Sequence, residues 1–367
     1  MSAIPALRVF DTAGVNFLLE RMTRQGLARR GTGTPAQVAA SALGLQAQDA
    51  AAARLGVRAR SGAVDEADVI RAGATEASVV RTWLMRATVH LVAAEDLRWL
   101  VALFGPMIER RFATVRWRQL GIDRPLLDEA VPLTREVLAD RQLTRQELAA
   151  ELAERGIRLA DDPQAATHLL MALSCRGVTC RAGDRGRDAT FALIEDWVPD
   201  VAPPIDPMAE LARRYFRAFA PATAADFTAW SGLPSGAAIG AIRDELTEVA
   251  FDGRRGWTLG TVEPVPVLRL LPMFDNYLIG YRDRSAMLDE TRVGQVYVGG
   301  IIKASVVCDG RVIGSWRLER STRSGKLATI RITTFERFTR RHRQELDRER
   351  ADVERFLGGM VGLSTDG

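Results

Sequence analysis

The chain has 367 residues, of which 47% are hydrophobic and 26% charged, with a formal net charge of +4. This composition is typical of a folded protein with two or more compact units, and it excludes extended disorder. No apolar run reaches the roughly 20 residues that a transmembrane helix needs, and the stretch "MSAIPALRVFDTAGVNF" lacks the charged-then-apolar layout of a signal peptide. Three cysteines form no disulfide framework, so we expect a cytoplasmic protein.

Arginine supplies nearly all of the positive charge, because only Lys303 and Lys326 are lysines among 50 basic residues. A GC-rich coding sequence is one explanation, and phosphate recognition by the arginine fork is another. Residues 1–60 carry eight arginines against three acids, and residues 320–345 carry eight basic residues against two acids. These two clusters predict a shared basic surface for nucleic acid.

In chain order, the first segment predicts helices at about 14–24 and about 35–44, then a break, more helix, and a hairpin over "SVVRTWLMRATVHLV". The stretch "LTRQELAAELAERGI" predicts a helix whose N-terminus is capped by Thr144 and Glu147 in a capping box. A second helix is predicted between Pro163 and Gly177, followed by two strands in "VTCRAGDRGRDATFALI". Helix, helix and two-stranded wing is the order of a winged helix.

Residues 206–260 predict the same order, with a hairpin across Asp252–Gly253. After residue 263 the sequence predicts a β-meander with a tight turn at Asp309–Gly310, a helix at about 336–357, and a frayed end. The predicted fold is therefore α+β. It has three tandem winged-helix units, at 1–127, 128–203 and 204–262, and a C-terminal antiparallel β-rich region with a terminal helix at 263–367.

No metal or cofactor site is predicted. The three histidines and three cysteines are scattered without the spacing of a zinc site, and no phosphate-binding glycine loop is present. Asp275 and Asp283 lie eight residues apart on a turn-rich segment. Capping of turns is the favoured role for them over a two-metal carboxylate site.

Gln46 and Gln48 stand out in "LGLQAQDAAAARLGVRAR". Residues two apart do not share a helix face, so the two amides converge only on an extended or turn segment. Solvent-facing or capping amides are one interpretation. The other is chemical: amides are poor bases, but they hold a water by hydrogen bonds. That suffices when the leaving group is already cationic, as in an N7-alkylated purine, because the base then departs neutral without a general acid.

Four further stretches accompany the glutamines: "VVRTWLMRATVHLVAAEDLRWL", "APATAADFTAWSGL", "LPMFDNYLIGYRDR" and "DGRVIGSWR". Together the set resembles the AlkZ-like DNA glycosylases, a bacterial family that includes YcaQ and is built from tandem winged helices. The resemblance spans roughly residues 10–340. It implies that Gln46 and Gln48 are catalytic, and that N7-alkylated purines are excised, including bulky natural-product adducts or interstrand crosslinks in antibiotic-linked members. Ala47 is smaller than the apolar residue expected between the glutamines.

Two further groups of residues are candidates for DNA contact. Strict alternation places Arg86 and His90 on one face of the hairpin, near Arg81. This face is either solvent-exposed without a function or in contact with phosphate or the lesion's sugar. The resemblance also implies a hairpin that enters the minor groove. We assign this hairpin to the cationic turn with Arg320, Arg323 and Lys326. The alternatives are that the Asp309–Gly310 turn enters the groove, or that the cationic turn is only a solvent-exposed turn.

The function predicted from the sequence is a monofunctional DNA glycosylase, a monomer that acts on double-stranded DNA. No lyase step is expected, because both lysines are remote in sequence from Gln46. The alternative is a non-catalytic winged-helix DNA-binding protein, either a regulator or a resistance protein that sequesters lesions. The helices before the second and third wings lack the several Arg, Asn or Gln residues of a base-reading helix, which favours the enzyme.

Overall fold

The computed structural model describes residues 10–11, 17–320 and 327–366. The fold is of the mixed α+β type. The helices are α1 Phe17–Arg24, α2 Pro35–Ser41, α3 Ala50–Arg60, α4 Glu66–Ala74, α5 Ala94–Ala113, α6 Arg116–Gln119, α7 Arg124–Leu138, α8 Arg145–Glu154, α9 Ala165–Cys175, α10 Ile194–Trp197, α11 Pro207–Phe219, α12 Ala224–Ser231, α13 Ser235–Ala241, α14 Asn276–Ile279, α15 Val293–Val296 and α16 Arg340–Leu357.

The strands alternate with these helices along the chain. They are β1 Phe10–Asp11, β2 Leu45–Gln46, β3 Val79–Trp83, β4 Val89–Ala93, β5 Leu143–Thr144, β6 Thr179–Arg185, β7 Asp188–Leu193, β8 Thr247–Phe251, β9 Arg254–Thr258, β10 Leu268–Leu271, β11 Tyr297–Val298, β12 Ile301–Ile302, β13 Ser305–Cys308, β14 Arg311–Arg320, β15 Ala328–Thr334 and β16 Val361–Asp366.

The chain divides into two compact units, each gathered from separate stretches. The first unit comprises Met1–Thr34, Ser41–Ala67 and Met208–Gly367, and the second comprises Pro35–Ala40 and Asp68–Pro207. The four consecutive segments expected from the sequence stay a prediction. Their boundary at 127/128, however, falls inside α7, because the helix is capped upstream: the Asp123 carboxylate accepts the Leu126 N–H at 2.9 Å.

In the second unit, five strands form an antiparallel sheet in the order β4-β3-β6-β7-β5. The capping box predicted for α8 is present, with Thr144 accepting from the Glu147 N–H and the Glu147 carboxylate accepting from the Thr144 N–H. Helices α5 and α9 approach at Gly105, where an added Cβ would lie 2.1 Å from the Cys175 carbonyl oxygen. Only glycine fits there.

The first unit contains a five-stranded sheet in the order β10-β13-β14-β15-β16, a β1-β8-β9 sheet, and the short β11-β12 hairpin. The predicted meander is confirmed as antiparallel from β10 to β15. The expected frayed end is wrong, because Val361–Asp366 pairs in parallel with β15 and Val361 is buried. Helix α16 makes the crossover that a parallel neighbour requires.

Helix α16 covers this sheet with an apolar stripe. Leu346, Val353 and Phe356 are buried, at the spacing of one helix face. The helix begins after Thr339, whose hydroxyl accepts the His342 N–H, so the predicted terminal helix is confirmed with a slightly later start. The same buried stripe also carries Glu349, which is 1% exposed.

Glu349 is buried because arginines from three other parts of the first unit surround its carboxylate. Arg58 of α3 lies 3.2 Å from Oε2, Arg269 of β10 lies 3.1 Å from Oε1, and Arg30 also donates to Oε1. The backbone N–H of Leu270 donates to Oε2 at 3.1 Å. These donors exceed the opposing effect of burial and lower the pKa of Glu349 from 4.5 to about 2.

We predict that Glu349→Ala lowers the free energy of unfolding by about 3–5 kcal/mol, because it leaves buried guanidinium groups without their shared partner. Glu345→Ala on the same helix is the control. Its partner Arg348 is 76% exposed, so a loss below about 1 kcal/mol is expected. Urea unfolding at pH 7 measures both.

The contribution of Glu349 to the free energy of unfolding depends on pH with a defined sign. Since the folded-state pKa of Glu349 is depressed, its contribution is complete above about pH 4.5 and is lost as the pH falls toward 2. Equal losses for the Glu349 and Glu345 variants would contradict this role of the buried carboxylate.

Candidate active site

The glutamine motif begins on a short strand and continues into a bend at Gln48 and Asp49, so the prediction of an extended or turn segment is confirmed. Leu45 and Gln46 form β2, and Asp49 has extended φ and ψ of −109° and 119°. Leu45 and Ala47 are 2% and 1% exposed, Gln46 is 9% exposed, and Gln48 is exposed. Alternate residues of an extended chain point to the same side. On β2, Gln46 therefore faces the side opposite to that of Leu45, which enters the core.

The motif ends at the start of α3. The Asp49 carboxylate accepts the Ala52 N–H at 2.7 Å and so caps this helix. Arg60 at the other end of α3 donates through both terminal nitrogens to Asp275, at 2.8 and 2.9 Å. The helix that follows the glutamines is thus fixed at its two ends.

The motif begins after a left-handed turn. Leu43 and Gly44 have φ values of 53° and 83°. The side chain of Asn276 donates to the carbonyl oxygens of Ala42 and Gly44, at 3.1 and 2.7 Å. Asp275 also accepts the Tyr277 N–H, so its predicted capping role is confirmed, and Asp283 accepts the Ser285 N–H in the same way.

A cleft of about 860 Å³ lies within the first unit; its lining includes Asp49, the residue after Gln48, but neither glutamine. Its lining combines half-buried apolar side chains with polar and charged ones. The lining residues are Asp49, Ala51, Ala52, Leu55, Glu66, Pro272, Met273, Gly294, Gln295, Lys303, Ala304, Ser315, Trp316, Arg317, Leu318, Arg320, Arg331, Thr333 and Phe335. Its volume is in the range of small-molecule binding sites.

The cleft follows an edge of β14. Strand β13 pairs with β14 only as far as the Ser305–Ser315 pair, and one more bond joins the Trp316 N–H to the Ala304 carbonyl at 3.0 Å. Beyond this point β14 continues to Arg320 with only β15 beside it. Side chains from both faces of β14 therefore reach the cleft along this edge.

Most charges around the cleft are already compensated. Glu66 accepts from Arg54 at 3.0 Å and from Arg320 at 2.9 Å, and Glu319 pairs with Arg317 and Arg331. Lys303 is exposed, and its ammonium makes no ion pair with any residue that the structure describes. The lining thus offers one uncompensated cation.

The position of Lys303 corrects the sequence argument about lysines. Lys303 is far from Gln46 along the chain, so the sequence alone gives no reason to expect the two residues near one site. The sheet places Lys303 in the lining of the cleft. Asp49, the residue that follows Gln48, lines the same cleft. No local pattern around Lys303 indicates this placement, because it depends on how β13 and β14 pair.

Comparisons with known proteins identify the family. A family model described as "DNA glycosylase AlkZ-like" matches residues 39–356. The chain belongs to the AlkZ-like DNA glycosylases. Members of this family hydrolyse N-glycosyl bonds in DNA, so the chain is an enzyme of that class.

Two relatives are informative. The interstrand DNA cross-link repair glycosylase of Streptomyces sahachiroi is 31% identical over 331 residues, which are 81% of this chain and 86% of the relative. The solved structure of Streptomyces sahachiroi DNA glycosylase AlkZ superposes with a TM-score of 0.81 at 27% identity, covering 97% of this chain and all of that one.

Arg81 and His90 of this AlkZ-like chain do not share a face. In the β3–β4 hairpin Arg81 is opposite Leu91, whereas His90 is opposite Thr82. Arg86 lies in a short 3₁₀ turn with a φ of 55°, so the strict alternation assumed from the sequence is broken there. Arg81 forms an ion pair with Asp184. All of these residues belong to the second unit, and their proximity to the glutamines stays a prediction.

His90 is not suited to bind phosphate as a cation. It is 1% exposed, and its Nδ1 lies 2.9 Å from the Thr88 carbonyl oxygen. Burial, with a contribution from the charge of Arg86, lowers its pKa to about 3. The imidazole is therefore neutral at physiological pH, and its contact with phosphate or with the lesion's sugar stays a prediction.

The three residues proposed for a minor-groove hairpin have separate outcomes. Arg320 is the last residue of β14, pairs with Ala328 across the hairpin, and forms an ion pair with Glu66. Arg323 and Lys326 lie outside the described residues. Their role in the minor groove stays a prediction.

The alternative turn at Asp309–Gly310 is packed within the first unit. The Asp309 carboxylate accepts the Val267 N–H at 2.8 Å and pairs with Arg341. The Gly310 carbonyl accepts the Tyr277 hydroxyl at 2.8 Å, and a Cβ on Gly310 would lie 2.3 Å from that of Leu18. This turn has no free tip that could enter a groove.

Three of the arginines near the N-terminus, Arg21, Arg58 and Arg60, are buried and therefore add nothing to the predicted basic surface. Arg21 lies over the Tyr281 ring, 3.8 Å from its centroid, and donates to the Pro221 carbonyl at 2.8 Å. Arg58 is fully buried against Glu349. The guanidinium fork serves here as an internal hydrogen-bond donor to carbonyls and carboxylates, which a sequence count cannot distinguish from a surface charge.

The described residues give no sign of metal or thiol chemistry. None of their His, Cys, Asp and Glu side chains forms a group of three that could hold a metal ion. Cys175 and Cys180 are buried free thiols, and burial raises the pKa of each to about 12. No described helix combines the length and apolar character needed to cross a bilayer.

Proposed function

We propose that this chain hydrolyses the N-glycosidic bond of N7-alkylated purines in double-stranded DNA, with a water held by Gln46 and Gln48, and that it is monofunctional. We further propose that bulky adducts or interstrand crosslinks are among its substrates, like the crosslinks named for its S. sahachiroi relative. The observation that carries the proposal is the extended glutamine motif beside the cleft that begins at Asp49.

The chemistry fits neutral amides. An N7-alkylated purine is cationic while attached, so it leaves as a neutral base and needs no proton from the enzyme. What remains is to orient a water and to stabilise an oxocarbenium-like sugar, which are tasks of position and electrostatics. Two amides separated by a single residue offer both a donor and an acceptor to the same water.

The cleft supports a bulky substrate. Leu55, Met273, Leu318 and Phe335 are half-buried and line it together with buried Trp316. This apolar lining suits an adduct larger than a methyl group, whose burial is favourable at about 25 cal/mol per Å². Lys303 at the rim suits a DNA phosphate by charge.

The order of elements supports winged-helix units. In the second unit α7, β5, α8 and α9 precede the β6–β7 hairpin, and β5 pairs with β7. In the first unit α11, α12 and α13 precede β8–β9, and Ala222 bridges to Trp257 of β9. Helix α9 buries most of its side chains, and α13 consists mainly of Gly and Ala. Neither suits base reading, which disfavours a non-catalytic regulator.

We predict that changing Gln46 and Gln48 together to Ala abolishes base release while DNA affinity stays within a few fold. Loss of one transition-state hydrogen bond costs roughly 10²–10³ in rate. Single-turnover release of 7-methylguanine and fluorescence anisotropy measure the two quantities. Exposed Gln344 on α16 is the matched control, and Gln344→Ala is expected to leave both unchanged. Normal release by the double variant would refute the catalytic assignment.

We predict that the products are a free base and an intact abasic strand. A β-lyase step requires an amine that forms a Schiff base with the sugar, and Lys303 lines the cleft. Borohydride reduction during turnover is therefore a strict test, and no covalent protein–DNA adduct is expected. An adduct formed by the wild type and absent in Lys303→Ala would show a lyase, and the monofunctional assignment would be wrong.

We predict that narrowing the cleft discriminates against bulky lesions. Thr333 lines the cleft, whereas Thr329 lies on the same face of β15 outside it, opposite Glu319. Thr333→Trp is expected to slow excision of a bulky N7 adduct by roughly tenfold or more relative to 7-methylguanine, because the adduct then overlaps the indole. Thr329→Trp should slow neither. If both variants treat the two substrates alike, the adduct does not occupy this cleft.

A further inference from the structure

Asn276 is a buried polar residue that none of the functional assignments above uses. It is the first residue of α14 and is 2% exposed. Its amide nitrogen makes two hydrogen bonds, to the carbonyls of Ala42 and Gly44. Both acceptors belong to the turn that immediately precedes the glutamine motif. The residue does not line the cleft itself.

We infer that Asn276 is a positioning residue for hydrolysis: its amide holds the Ala42–Gly44 turn and thereby directs Gln46 toward the substrate. This inference rests on the proposed catalytic role of Gln46 and Gln48. It assigns no contact between Asn276 and DNA.

The turn requires an external anchor. Leu43 has a φ of 53°, in the left-handed region that residues with a side chain rarely adopt because the backbone is strained there. A strained conformation of this kind persists only where its surroundings fix it. The two bonds from Asn276 flank Leu43 on both sides and supply that restraint.

The direction of the glutamines depends on this turn. Only Leu45 separates Gly44 from Gln46, and side chains of an extended segment alternate between two sides. A change in the turn therefore rotates Gln46 away from its present side and brings Leu45 out of the core. Displacement of a reacting group by about 1 Å can cost 10²-fold in rate.

The residue before Asn276 holds the far end of the same segment. Asp275 binds both terminal nitrogens of Arg60, and Arg60 also donates to the Gly56 carbonyl at 3.1 Å. The consecutive pair Asp275–Asn276 thus restrains the chain before the motif and at the end of α3. The motif lies between these two anchors.

The test uses Asn276→Asp, which keeps the shape of the side chain but cannot donate while ionised. We expect single-turnover release of 7-methylguanine to fall by about 10–100-fold, with the Kd for DNA within threefold of wild type. Below its pKa the introduced carboxyl regains one donor. The rate of the variant relative to wild type should therefore rise as the pH is lowered from 8 to 5.

The control is the neighbouring residue. The Tyr277 hydroxyl donates to the Gly310 carbonyl at 2.8 Å and is equally buried, but it holds a turn remote from the glutamines. Tyr277→Phe also removes a buried bond to a carbonyl, and its rate should stay within twofold of wild type.

Three outcomes would overturn the inference: a wild-type rate for Asn276→Asp, a parallel loss of rate and DNA binding, or a deficit that does not change with pH. If Asn276→Asp does not fold, Asn276→Ser and Asn276→Ala replace it. The hydroxyl keeps one donor and the methyl none, so the rates should decrease from wild type to Ser to Ala, and equal rates would also overturn the inference. Failure of the proposed function is recognised separately, since the Gln46 and Gln48 double variant would then release base normally.

Discussion

The carboxylate of Glu349 connects the parts of the first unit on which the site depends. Its oxygens meet guanidinium groups from α3, from β10 and from the segment after α1, and it also binds the Leu270 N–H. A buried carboxylate with this many donors is stable only while all of them stay in place. The C-terminal half of α3 is thereby fixed on the sheet. Because Asp49 caps the other end of α3, the glutamine motif takes its position from the same rigid helix.

Local signals in the sequence were sufficient for most elements of the fold. Capping residues, alternation and the Asp-Gly turns located α8, the β8–β9 and β13–β14 hairpins, and α16. One expectation was wrong because it depends on contacts distant in sequence. The strand at Val361–Asp366 pairs in parallel with β15, and no window of adjacent residues contains that information.

The candidate site was predictable only in part. The spacing of Gln46 and Gln48 predicted an extended or turn segment, and Gln46 lies on a short strand that is followed by a bend at Gln48. Lys303 and Asn276 carried no comparable signal, because a lone lysine or asparagine in a turn-rich region is usually solvent-facing. Arginine counts were misleading for a physical reason: a guanidinium group can satisfy carbonyls and carboxylates inside a protein as well as phosphates outside it. Net charge in a sequence window therefore says little about the surface.

The first unit is assembled from three stretches of the chain, and the second unit consists of the residues between them. During synthesis, residues before 68 leave the ribosomal exit tunnel long before Glu349 is made. Until then, Arg58 lacks the carboxylate with which it pairs in the folded protein. Domains usually fold in the order of their synthesis. Here the polypeptide that bears the glutamines cannot complete its core until α16 emerges, whereas nearly all of the second unit is available much earlier. The segment that bears Gln46 and Gln48 is thus among the first parts to be synthesised and among the last to reach its final structure.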